Sequence, residues 1–521
     1  MKDAVVRGLH PLQPMKPPAG AAEAAKGAAA AAPTGPLAAA QASPAGPLCH
    51  VPPDDVVLLR VDREAGSHTG HPRHLHPALD LKYIQARLQV ASGAAVPLLD
   101  GWREAFRVDD TVARCLALRP RYAVIRAVTW CLEESVRVAA ALHAAGVVTI
   151  AVGQQVQHVA RSPFPGWDDA FDLAVAGEPE EAVPRLIARL RAGEPLAALR
   201  AESRRRLASG PVVLVDDPDA LPTPHFAAQE LRDYAFPFPL RGRPATRWGY
   251  VLTAWGCPRP CRHCTAIVRK SVGQRLRERD VARVVDEVLA LQAAGAQAIA
   301  FEDDSLLVHR QRFLRLADEL VRRGVRLPWM ANARPDELDA ERVAAARAAG
   351  AVLLKVGVDS GSPRLIEHLG KTDDGDGWLR ATERGFALLE RHRIGSVALF
   401  MVGMPDETPA DAEATLALAQ RIRPDYLQVQ IYRPYPDVPL WPELPEAART
   451  RHAEYHYLTP ASNCSRIPVE TLAALQRRIY RRFYFSPRFV ARHVARCWRH
   501  YASPATLAAL PHSLGYLLRS R

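Results

Sequence analysis

Short apolar runs alternate with helix-like stretches in two separate series along the chain, and this pattern constrains the fold more than any other feature. In the first series the apolar runs lie at 56–59, 122–128, 147–152 and 173–176, and the helix-like stretches lie near 80–91, 132–145 and 179–192. The order βαβαβα is typical of a parallel sheet with helices on both faces. We therefore predict a doubly wound α/β domain over 54–192, with ligands bound beyond the carboxyl ends of its strands.

The second series contains six such units. Its apolar runs lie at 250–254, 299–301, 329–331, 352–358, 397–402 and 427–432. The helix predicted over 281–294 begins after Asp280, a good N-cap residue, and ends before Gly295. Six βα units with right-handed crossovers predict a partly closed (β/α)6 barrel over 246–445, whose reactive face is formed by the strand ends.

The segments outside the two series differ in composition. Residues 193–245 are rich in Pro and charged residues, which predicts an ordered linker. Residues 446–521 are predicted to form a helical segment that packs on the barrel by one apolar face, rather than lying on a membrane surface. That face would hold Leu472, Leu475, Ile479 and Phe483, and the apolar residues that follow them and would pack likewise are Phe485, Phe489, Val490 and Val494. Residues 1–50 are dominated by Ala, Pro and Gly, which predicts a disordered tail.

Charge and cysteine content exclude some classes of protein. The formal net charge is +12, but Arg occurs in every segment and forms no separate basic stripe, so no nucleic acid partner is expected. Eight cysteines in 521 residues are too few for a disulfide scaffold, which favours a reducing compartment and a cytoplasmic location. The uncharged stretch 502–518 is interrupted by Pro504 and Pro511, so no membrane span is expected.

Three cysteines directly after the first strand of the second series carry the clearest chemical signal. Cys257, Cys261 and Cys264 can hold one metal centre through their thiolates. Three protein ligands leave a position open for a chelating substrate or cofactor, as in catalytic metal sites. A zinc site completed by His263 or Cys464 is the alternative, but zinc sites usually have a fourth ligand at regular spacing.

These cysteines form the C-x3-C-x2-C motif, and the chain around them resembles the radical SAM superfamily, in particular the subgroup with an N-terminal cobalamin-binding domain. Further similar runs lie at 284–287, 301–305, 332–336, 357–362 and 401–408. The resemblance implies that the three cysteines hold a [4Fe–4S] cluster whose free iron binds S-adenosylmethionine. An electron from the cluster would then cleave this ligand to a 5′-deoxyadenosyl radical.

The resemblance also implies which residues hold S-adenosylmethionine. They are Glu302, Asp303 and Asp304 at the second strand end, Arg334 at the third, Asp359 and Ser360 at the fourth, and Gly403 and Pro405 at the fifth. Their carboxylate, guanidinium and hydroxyl groups suit the methionine and ribose portions, and the turn after the fifth strand would approach the adenine. The alternative is that they only cap strands and helices.

Cobalamin is the third cofactor that the resemblance implies. The run 177–180, with Gly177 and Glu178, is similar to the end of the cobalamin-binding domain, but no D-x-H-x-x-G element is present, so a histidine-ligated cobalt is not expected. Gln154 and Gln155 stand where related chains often have a Gly-Gly-Pro-His type loop, and the volume of the two glutamines favours the alternative that cobalamin binding is altered or lost. A group of histidines is interpreted as part of a loop and not as a metal site, because its spacing fits neither helix nor strand: His68, His71, His74 and His76.

The sequence therefore predicts a cobalamin-dependent radical SAM enzyme, most simply a methyltransferase that acts on an unactivated carbon of a small biosynthetic intermediate through methylcobalamin. The alternatives are a cyclase or rearrangement enzyme without methyl transfer, and a non-catalytic cobalamin or iron–sulfur sensor. Modification of transfer RNA is a further rival that the absence of an RNA-binding module disfavours. A low-potential electron donor such as flavodoxin or ferredoxin is the expected protein partner.

Overall fold

The computed structural model describes residues 55–62, 76–128, 131–153, 156–159, 164–175, 177–209, 213–234, 236, 245–264, 275–432, 438–450 and 464–501. The predicted tail at 1–50 lies outside them. So do the residues Gln154, Gln155, His68, His71 and His74, on which predictions were made. The described residues belong to one compact unit that contains two parallel sheets.

The first sheet is doubly wound, as predicted. Its strands are β1 (Val56–Arg60), β2 (Leu98–Asp100), β3 (Tyr122–Arg126), β4 (Val148–Val152) and β5 (Leu173–Ala174). Its helices are α1 (Leu79–Ser92), α2 (Gly101–Glu104), α3 (Val108–Ala117), α4 (Leu132–Ala144), α5 (Val156–Val159), α6 (Trp167–Ala170) and α7 (Pro179–Arg191). All pairs are parallel and the spatial order is β2-β1-β3-β4-β5, so strand order reverses between β1 and β3. Every residue of β1 is buried, as expected for a sheet covered on both faces.

The stretch predicted to be a linker contains two helices, α8 (Leu196–Ser209) and α9 (Ala228–Asp233). Near its middle, Val213 pairs with Gly177 in an isolated parallel bridge. A Cβ at Gly177, whose φ is 113°, would lie 2.2 Å from the Val213 carbonyl oxygen. Glycine at 177 is therefore required for the linker to run alongside the first sheet.

The second sheet contains the six strands predicted for the barrel. The strands of this region are β6 (Trp248–Val251), β7 (Ala254–Trp255), β8 (Arg277–Glu278), β9 (Ala298–Phe301), β10 (Trp329–Ala333), β11 (Ala351–Asp359), β12 (Gly395–Val402) and β13 (Tyr426–Ile431). Six of them pair in parallel in the order β6-β9-β10-β11-β12-β13, which is their order along the chain. β7 and β8 form a separate antiparallel pair that the sequence did not predict. The six carboxyl ends therefore lie along one edge.

Helices cover this second sheet. They are α10 (Val281–Ala293), α11 (Arg310–Arg322), α12 (Ala340–Ala348), α13 (Pro363–His368), α14 (Gly375–Arg391) and α15 (Pro409–Ile422). The predicted N-cap of α10 is confirmed, because Asp280 Oδ1 accepts hydrogen bonds from the amides of Ala282 at 2.9 Å and Arg283 at 3.3 Å. Below the sheet, the rings of Phe301 and Phe313 pack edge-on against Trp329.

The C-terminal part consists of α16 (Glu446–Thr450), α17 (Val469–Tyr484) and α18 (Pro487–Tyr501). Helix α17 buries the apolar face predicted for it: Leu472, Leu475, Ile479 and Phe483. Two tyrosines of α17 also bond to β13, the edge strand. Tyr480 and Tyr484 hydroxyls each accept from a β13 amide at 2.9 Å and donate to the carbonyl of the same residue, Val429 and Leu427 respectively. No helix among the described residues is long and apolar enough to cross a membrane.

Candidate functional site

Three cysteine thiols lie on one loop that follows β7. Cys261 is buried, Cys257 and Cys264 are half-buried, and none of the three forms a disulfide. Gly256 directly precedes them with a φ of 90°, and a Cβ there would lie 2.6 Å from the Arg275 carbonyl oxygen. Only glycine therefore fits the turn at the start of this cysteine loop.

Hydrogen bonds hold the cysteine loop against neighbouring segments. The Arg262 amide donates to the Leu369 carbonyl at 2.8 Å, and the Arg262 carbonyl accepts from the Leu440 amide at 3.1 Å. Arg259 Nη2 donates to Glu337 Oε1 at 3.0 Å, and Glu337 is buried. These bonds fix the loop before a ligand arrives, which is what a metal-binding loop requires.

Arg334 connects the end of β10 to the cysteine loop. Its Nη1 donates to Cys261 Sγ at 3.3 Å, while Nε and Nη2 donate to the two carboxylate oxygens of Asp336 at 2.9 and 3.0 Å. Burial disfavours the guanidinium charge, but the bonds to Asp336 outweigh burial, so the pKa of Arg334 lies above its usual value. A fixed positive charge therefore lies beside one thiol.

A second charged group lies at the end of β11. Lys371 Nζ is 2.5 Å from Asp359 Oδ2, and His263 Nε2, from the cysteine loop, is 3.9 Å from the same oxygen. Burial alone would raise the pKa of Asp359, but Lys371 and then His263 outweigh burial and hold it below its usual range. The ion pair with Asp359 likewise outweighs the effect of burial on Lys371 and raises its pKa. Both groups are therefore charged at neutral pH.

The three acidic residues predicted after β9 have different surroundings. Glu302 is half-buried, with Oε1 3.9 Å from Lys355 Nζ, and Asp304 is exposed. Asp303 is buried and accepts at Oδ1 from Thr253 Oγ1 at 2.8 Å and at Oδ2 from the Thr253 amide at 3.3 Å. Burial raises the pKa of Asp303 to about 6, against these hydrogen bonds. Asp303 therefore joins the ends of β6 and β9.

The residues predicted at the fourth and fifth strand ends shape two turns. Ser360 is fully buried and its hydroxyl lies 3.3 Å from Thr415 Oγ1. Gly403 has a φ of 81° and Pro405 is buried. Glu407 Oε2 accepts from the Gly403 amide and, at 3.1 Å, from the amide of the next residue, so this carboxylate holds the turn after β12. Burial raises the pKa of Glu407 to about 7.

The predicted residues therefore fall into two groups. Cys261, Arg334 and Asp359 form one connected cluster, whereas Asp303 and Ser360 have partners within the fold. Lys371 was not predicted from the sequence, although a lysine in an Arg-rich chain is a signal that could have found it. Glu407 lay within a run that carried the resemblance, but it was not assigned to the site.

Polar side chains also lie at the carboxyl ends of the strands of the first sheet. At the ends of β1 and β2, Arg60 Nη1 donates to Asp100 Oδ2 at 3.3 Å, and Tyr234 donates to the same oxygen at 2.5 Å. Gly153 follows β4 with a φ of 103°, and a Cβ there would lie 2.9 Å from the Ala127 carbonyl oxygen. Ligands of doubly wound sheets bind at such edges, at the reversal of strand order.

A buried ion pair joins the two sheet regions next to the cysteine loop. Arg277 of β8 donates from Nη2 to Glu178 Oε1 at 2.6 Å and from Nη1 to Glu178 Oε2 at 2.7 Å. Glu178 Oε2 also accepts from the Val215 amide at 2.7 Å. Trp255 of β7 lies 5.2 Å from the ring of Tyr83 on α1. The run 177–180, predicted as the close of the first domain, thus contacts the pair β7 and β8 directly.

Comparison with known families assigns the second sheet region. The model of the radical SAM superfamily matches residues 252–419, which include the three cysteines and the strand ends described above. These residues form a radical SAM domain. The resemblance predicted from the cysteine motif is confirmed.

The similarity of the chain to its relatives extends beyond the radical SAM domain. An uncharacterized methyltransferase PH0819 from Pyrococcus horikoshii is 26% identical over 461 residues, which are 85% of this chain and 93% of that protein. The anaerobic magnesium-protoporphyrin IX monomethyl ester cyclase of Rubrivivax gelatinosus is 24% identical over 332 residues, 61% of this chain and 58% of the cyclase. The chain therefore spans just over half the length of that cyclase.

A solved structure shares both sheets. The radical S-adenosylmethionine methyltransferase TsrM from Kitasatospora setae, with cobalamin and a [4Fe-4S] cluster bound, aligns with a TM-score of 0.56 and 19% identity. The alignment covers 76% of this chain and 78% of TsrM. At this identity the likeness concerns the fold, in which a doubly wound sheet precedes the radical SAM domain.

The side chains of the radical SAM domain fit an iron–sulfur cluster. Three thiols that form no disulfide provide soft ligands, and Arg334 and Lys371 place positive charge where thiolates and sulfides would gather negative charge. In the described part of the chain no three His, Cys, Asp or Glu side chains are close enough together to hold a single ion. A four-iron cube is larger than one ion, and its ligands stand farther apart.

Proposed function

We propose that the chain is a cobalamin-dependent radical SAM enzyme that transfers a methyl group to an unactivated carbon of a small biosynthetic intermediate. The observation that carries this proposal is the contact of Arg334 Nη1 with Cys261 Sγ, which places a buried cation beside a thiol of the cluster motif. The named methyltransferase relative, aligned over most of both chains, supports the same reaction type.

Within this proposal the residues have distinct tasks. Cys257, Cys261 and Cys264 would hold a [4Fe–4S] cluster. When bound, the cluster with S-adenosylmethionine supplies a 5′-deoxyadenosyl radical, and cobalamin supplies the methyl carrier. Arg334 offsets negative charge at Cys261, and Asp359 and Lys371 offer a carboxylate and an ammonium to the zwitterionic methionine portion.

The other predicted ligands of S-adenosylmethionine have supporting roles in this proposal. Glu302 is half-buried at the end of β9 and is the carboxylate that would reach the ribose hydroxyls. Asp304, at the same strand end, is exposed. Gly403 and Pro405 form the turn whose backbone would approach the adenine, and Glu407 fixes that turn. Ser360 and Asp303 would act indirectly, because their polar atoms bond within the protein.

Cobalamin would lie at the carboxyl edge of the first sheet. Gly153 lets the backbone turn at the end of β4 close to the Ala127 carbonyl, and Arg60, Asp100 and Tyr234 line the ends of β1 and β2. The ion pair of Arg277 with Glu178 holds this sheet beside the cysteine loop, so both cofactors would share one interior space that excludes water.

The proposal is tested by anaerobic reconstitution of the full chain with iron, sulfide and cobalamin. We expect cleavage of S-adenosylmethionine to 5′-deoxyadenosine together with S-adenosylhomocysteine, the product of methyl transfer. Cys261→Ala should abolish both, whereas Cys115→Ala, which removes a buried thiol of α3, should leave both unchanged. A wild-type preparation that binds iron but gives neither product would overturn the proposal and favour a sensor.

A cyclase without methyl transfer is the second candidate, because one relative carries that name. Cyclisation would release 5′-deoxyadenosine with no S-adenosylhomocysteine linked to turnover. The ratio of the two products, measured in the presence of candidate substrates, decides between the two reactions.

The remaining predictions about partners belong to this proposal. A low-potential flavodoxin or ferredoxin would supply the electron, and the substrate would be a small molecule rather than a nucleic acid. We place the protein in the cytoplasm, where a reducing environment keeps free thiols available to iron.

A further inference from the structure

Helix α18 presents apolar side chains to solvent, so the packing on the barrel that the sequence predicts for Phe485, Val490 and Val494 is wrong, whereas Phe489 does pack against the core. Four of the large apolar residues that are exposed in the described part of the chain lie within 14 positions of each other at this end: Phe485 at 51%, Val490 at 49%, Val494 at 51% and Trp498 at 57%. Val490, Val494 and Trp498 are spaced by four residues, so they lie on one side of the helix. Ala491 and Ala495 are exposed beside them. Between Val490 and Trp498 the exposed side chains of α18 are therefore all apolar.

The opposite side of α18 is fixed to the radical SAM domain. Arg496 Nη1 pairs with Asp425 Oδ1 at 3.0 Å, and Arg492 Nη2 donates to the Pro424 carbonyl at 2.7 Å. The His493 ring packs edge-on against Tyr426. These contacts fix the rotation of the helix about its axis, so the exposure of its apolar face follows from the fold.

The net positive charge of the chain is also concentrated in the C-terminal region that contains α18. Residues 471–521 contain ten Arg, no Lys and no Asp or Glu, so they account for ten of the chain's twelve net positive charges. Arginine is spread along the chain, as the sequence analysis noted, but elsewhere acidic residues almost balance it. Arg481, Arg482 and Arg488 are exposed near the start of α18. Arg478 and Arg496 pair with carboxylates of other elements, so the C-terminal region combines an apolar face with a positive charge that is only partly balanced.

We propose that α18 docks the protein on an anionic lipid bilayer. A basic amphipathic helix whose apolar face is open to solvent lies in the plane of a membrane interface, where acyl chains cover the apolar face and acidic headgroups attract the cations. A nucleic acid would use the arginines but not the aliphatic side chains, because phosphates are bound by cations and polar groups. A second copy of the chain would bring two sets of only partly balanced arginines together.

Docking through α18 leaves the candidate site open. The helix bonds to Asp425, whose Oδ2 accepts from the Ser396 amide at 2.9 Å, and these residues lie at the amino ends of β13 and β12. The cysteine loop and its partners lie at the carboxyl ends. The strand-end face would therefore point away from the bilayer, and a substrate would reach it from the aqueous side.

Flotation of the full chain with vesicles tests the proposal. We expect binding to phosphatidylcholine vesicles that contain phosphatidylglycerol, and at least tenfold weaker binding to phosphatidylcholine alone. Salt should release the protein from the anionic vesicles, since about 0.5 M salt shortens the Debye length to roughly 4 Å. Val490→Ser with Val494→Ser should weaken binding at least tenfold, because the two side chains could no longer bury apolar surface.

The matched control carries the same change at two other exposed valines, Val90→Ser with Val321→Ser, which lie on α1 and α11. This control should bind like the wild type. If the wild type does not float with anionic vesicles, or if both double variants bind equally, the proposal is overturned. It is also overturned if the Val490 and Val494 variant loses a dimer in vesicle-free solution, or if short RNA binds more tightly than the vesicles do.

The wild-type comparison of the two vesicle types needs no variant, so the proposal remains testable even if a substitution impairs folding. Cleavage of S-adenosylmethionine should be the same with and without vesicles. The result of the vesicle-binding test therefore does not depend on the proposed enzymatic function.

Discussion

Arg334 Nη1 donates a hydrogen bond to Cys261 Sγ at 3.3 Å, and the same guanidinium donates two further hydrogen bonds to the Asp336 carboxylate. A buried cation is thereby fixed beside a thiol before any cofactor binds. Hydrogen bonds and positive charge next to a thiolate ligand favour the more negative, reduced form of an iron–sulfur cluster.

Arg334→Gln should therefore lower the midpoint potential of the reconstituted cluster. A hydrogen bond to a charged group contributes about 1.5–3 kcal/mol, which corresponds to a shift of roughly 65–130 mV for a one-electron couple. An anaerobic redox titration followed by electron paramagnetic resonance measures it. Arg384→Gln, at an exposed position of α14, serves as the control. Equal potentials in both variants would contradict the role assigned to Arg334.

The ion pair of Lys371 with Asp359 should be important for stability without any cofactor. Removing one partner of a buried pair leaves an uncompensated charge and costs about 3–5 kcal/mol. We expect this loss for Lys371→Met in urea unfolding of the apoprotein, and partial recovery when Asp359→Asn is added. The exposed pair of Arg421 with Glu383 gives the comparison, since Arg421→Met should cost less than about 1 kcal/mol. An additive double variant would show that the two charges do not interact.

Glu407 should make stability depend on pH. Its pKa is about 7 in the folded chain, above its usual value of 4.5, because burial disfavours the carboxylate. Between these two values the folded state holds a proton that the unfolded state has released. The free energy of unfolding should therefore fall as pH rises from 4.5 to 7, by about 3 kcal/mol in total.

Glu407→Gln should remove this contribution, because the amide stays neutral and its oxygen can still accept from the Gly403 amide. The variant should match the wild type at pH 4.5 and exceed it by about 3 kcal/mol at pH 8. Urea unfolding at four pH values gives the difference between the two proteins. A difference that stays constant with pH would show that the carboxyl is not protonated in the folded state.

The ion pair of Arg277 with Glu178 should stabilise β7 and β8 against local opening. Glu178→Gln removes a charge that accepts two bonds from Arg277 and one from the Val215 amide. Hydrogen exchange should become faster at Val215, β7 and β8, while β13 exchanges as before. Glu341→Gln, which breaks an exposed pair with Arg310, is the control. Uniform acceleration in every strand would point to global destabilisation instead.

The strand pattern of both sheets could be predicted from the sequence because buried parallel strands are continuous apolar runs. The elements that were not predicted do not contain a continuous apolar run. Strand β2 has three residues, and β7 and β8 have two each, so no periodicity develops. Helix α8 is rich in Ala, Leu, Arg and Glu, but of the side chains described in it only that of Leu199 is buried, so its helix propensity was the available clue.

The candidate site was predictable only in part, for a physical reason. The cysteine spacing is a local property, and the strand ends follow from the βα order. The pairing of Lys371 with Asp359 depends on how the chain folds back after the helix between them, and the pairing of Arg277 with Glu178 joins residues that belong to different sheet regions. Nothing in the local pattern distinguishes Asp303, which bonds to Thr253, from a residue that is open to a ligand.

The two tyrosines that cap β13 also affect assembly. An unpaired edge strand is a template on which a strand from another molecule can add, and this is a common route to aggregation. Tyr480 and Tyr484 form hydrogen bonds to the outward amide and carbonyl groups of Val429 and Leu427, so these groups cannot pair with a strand of another molecule. A chain truncated before α17 would expose it, and intermolecular sheet growth would then compete with correct folding.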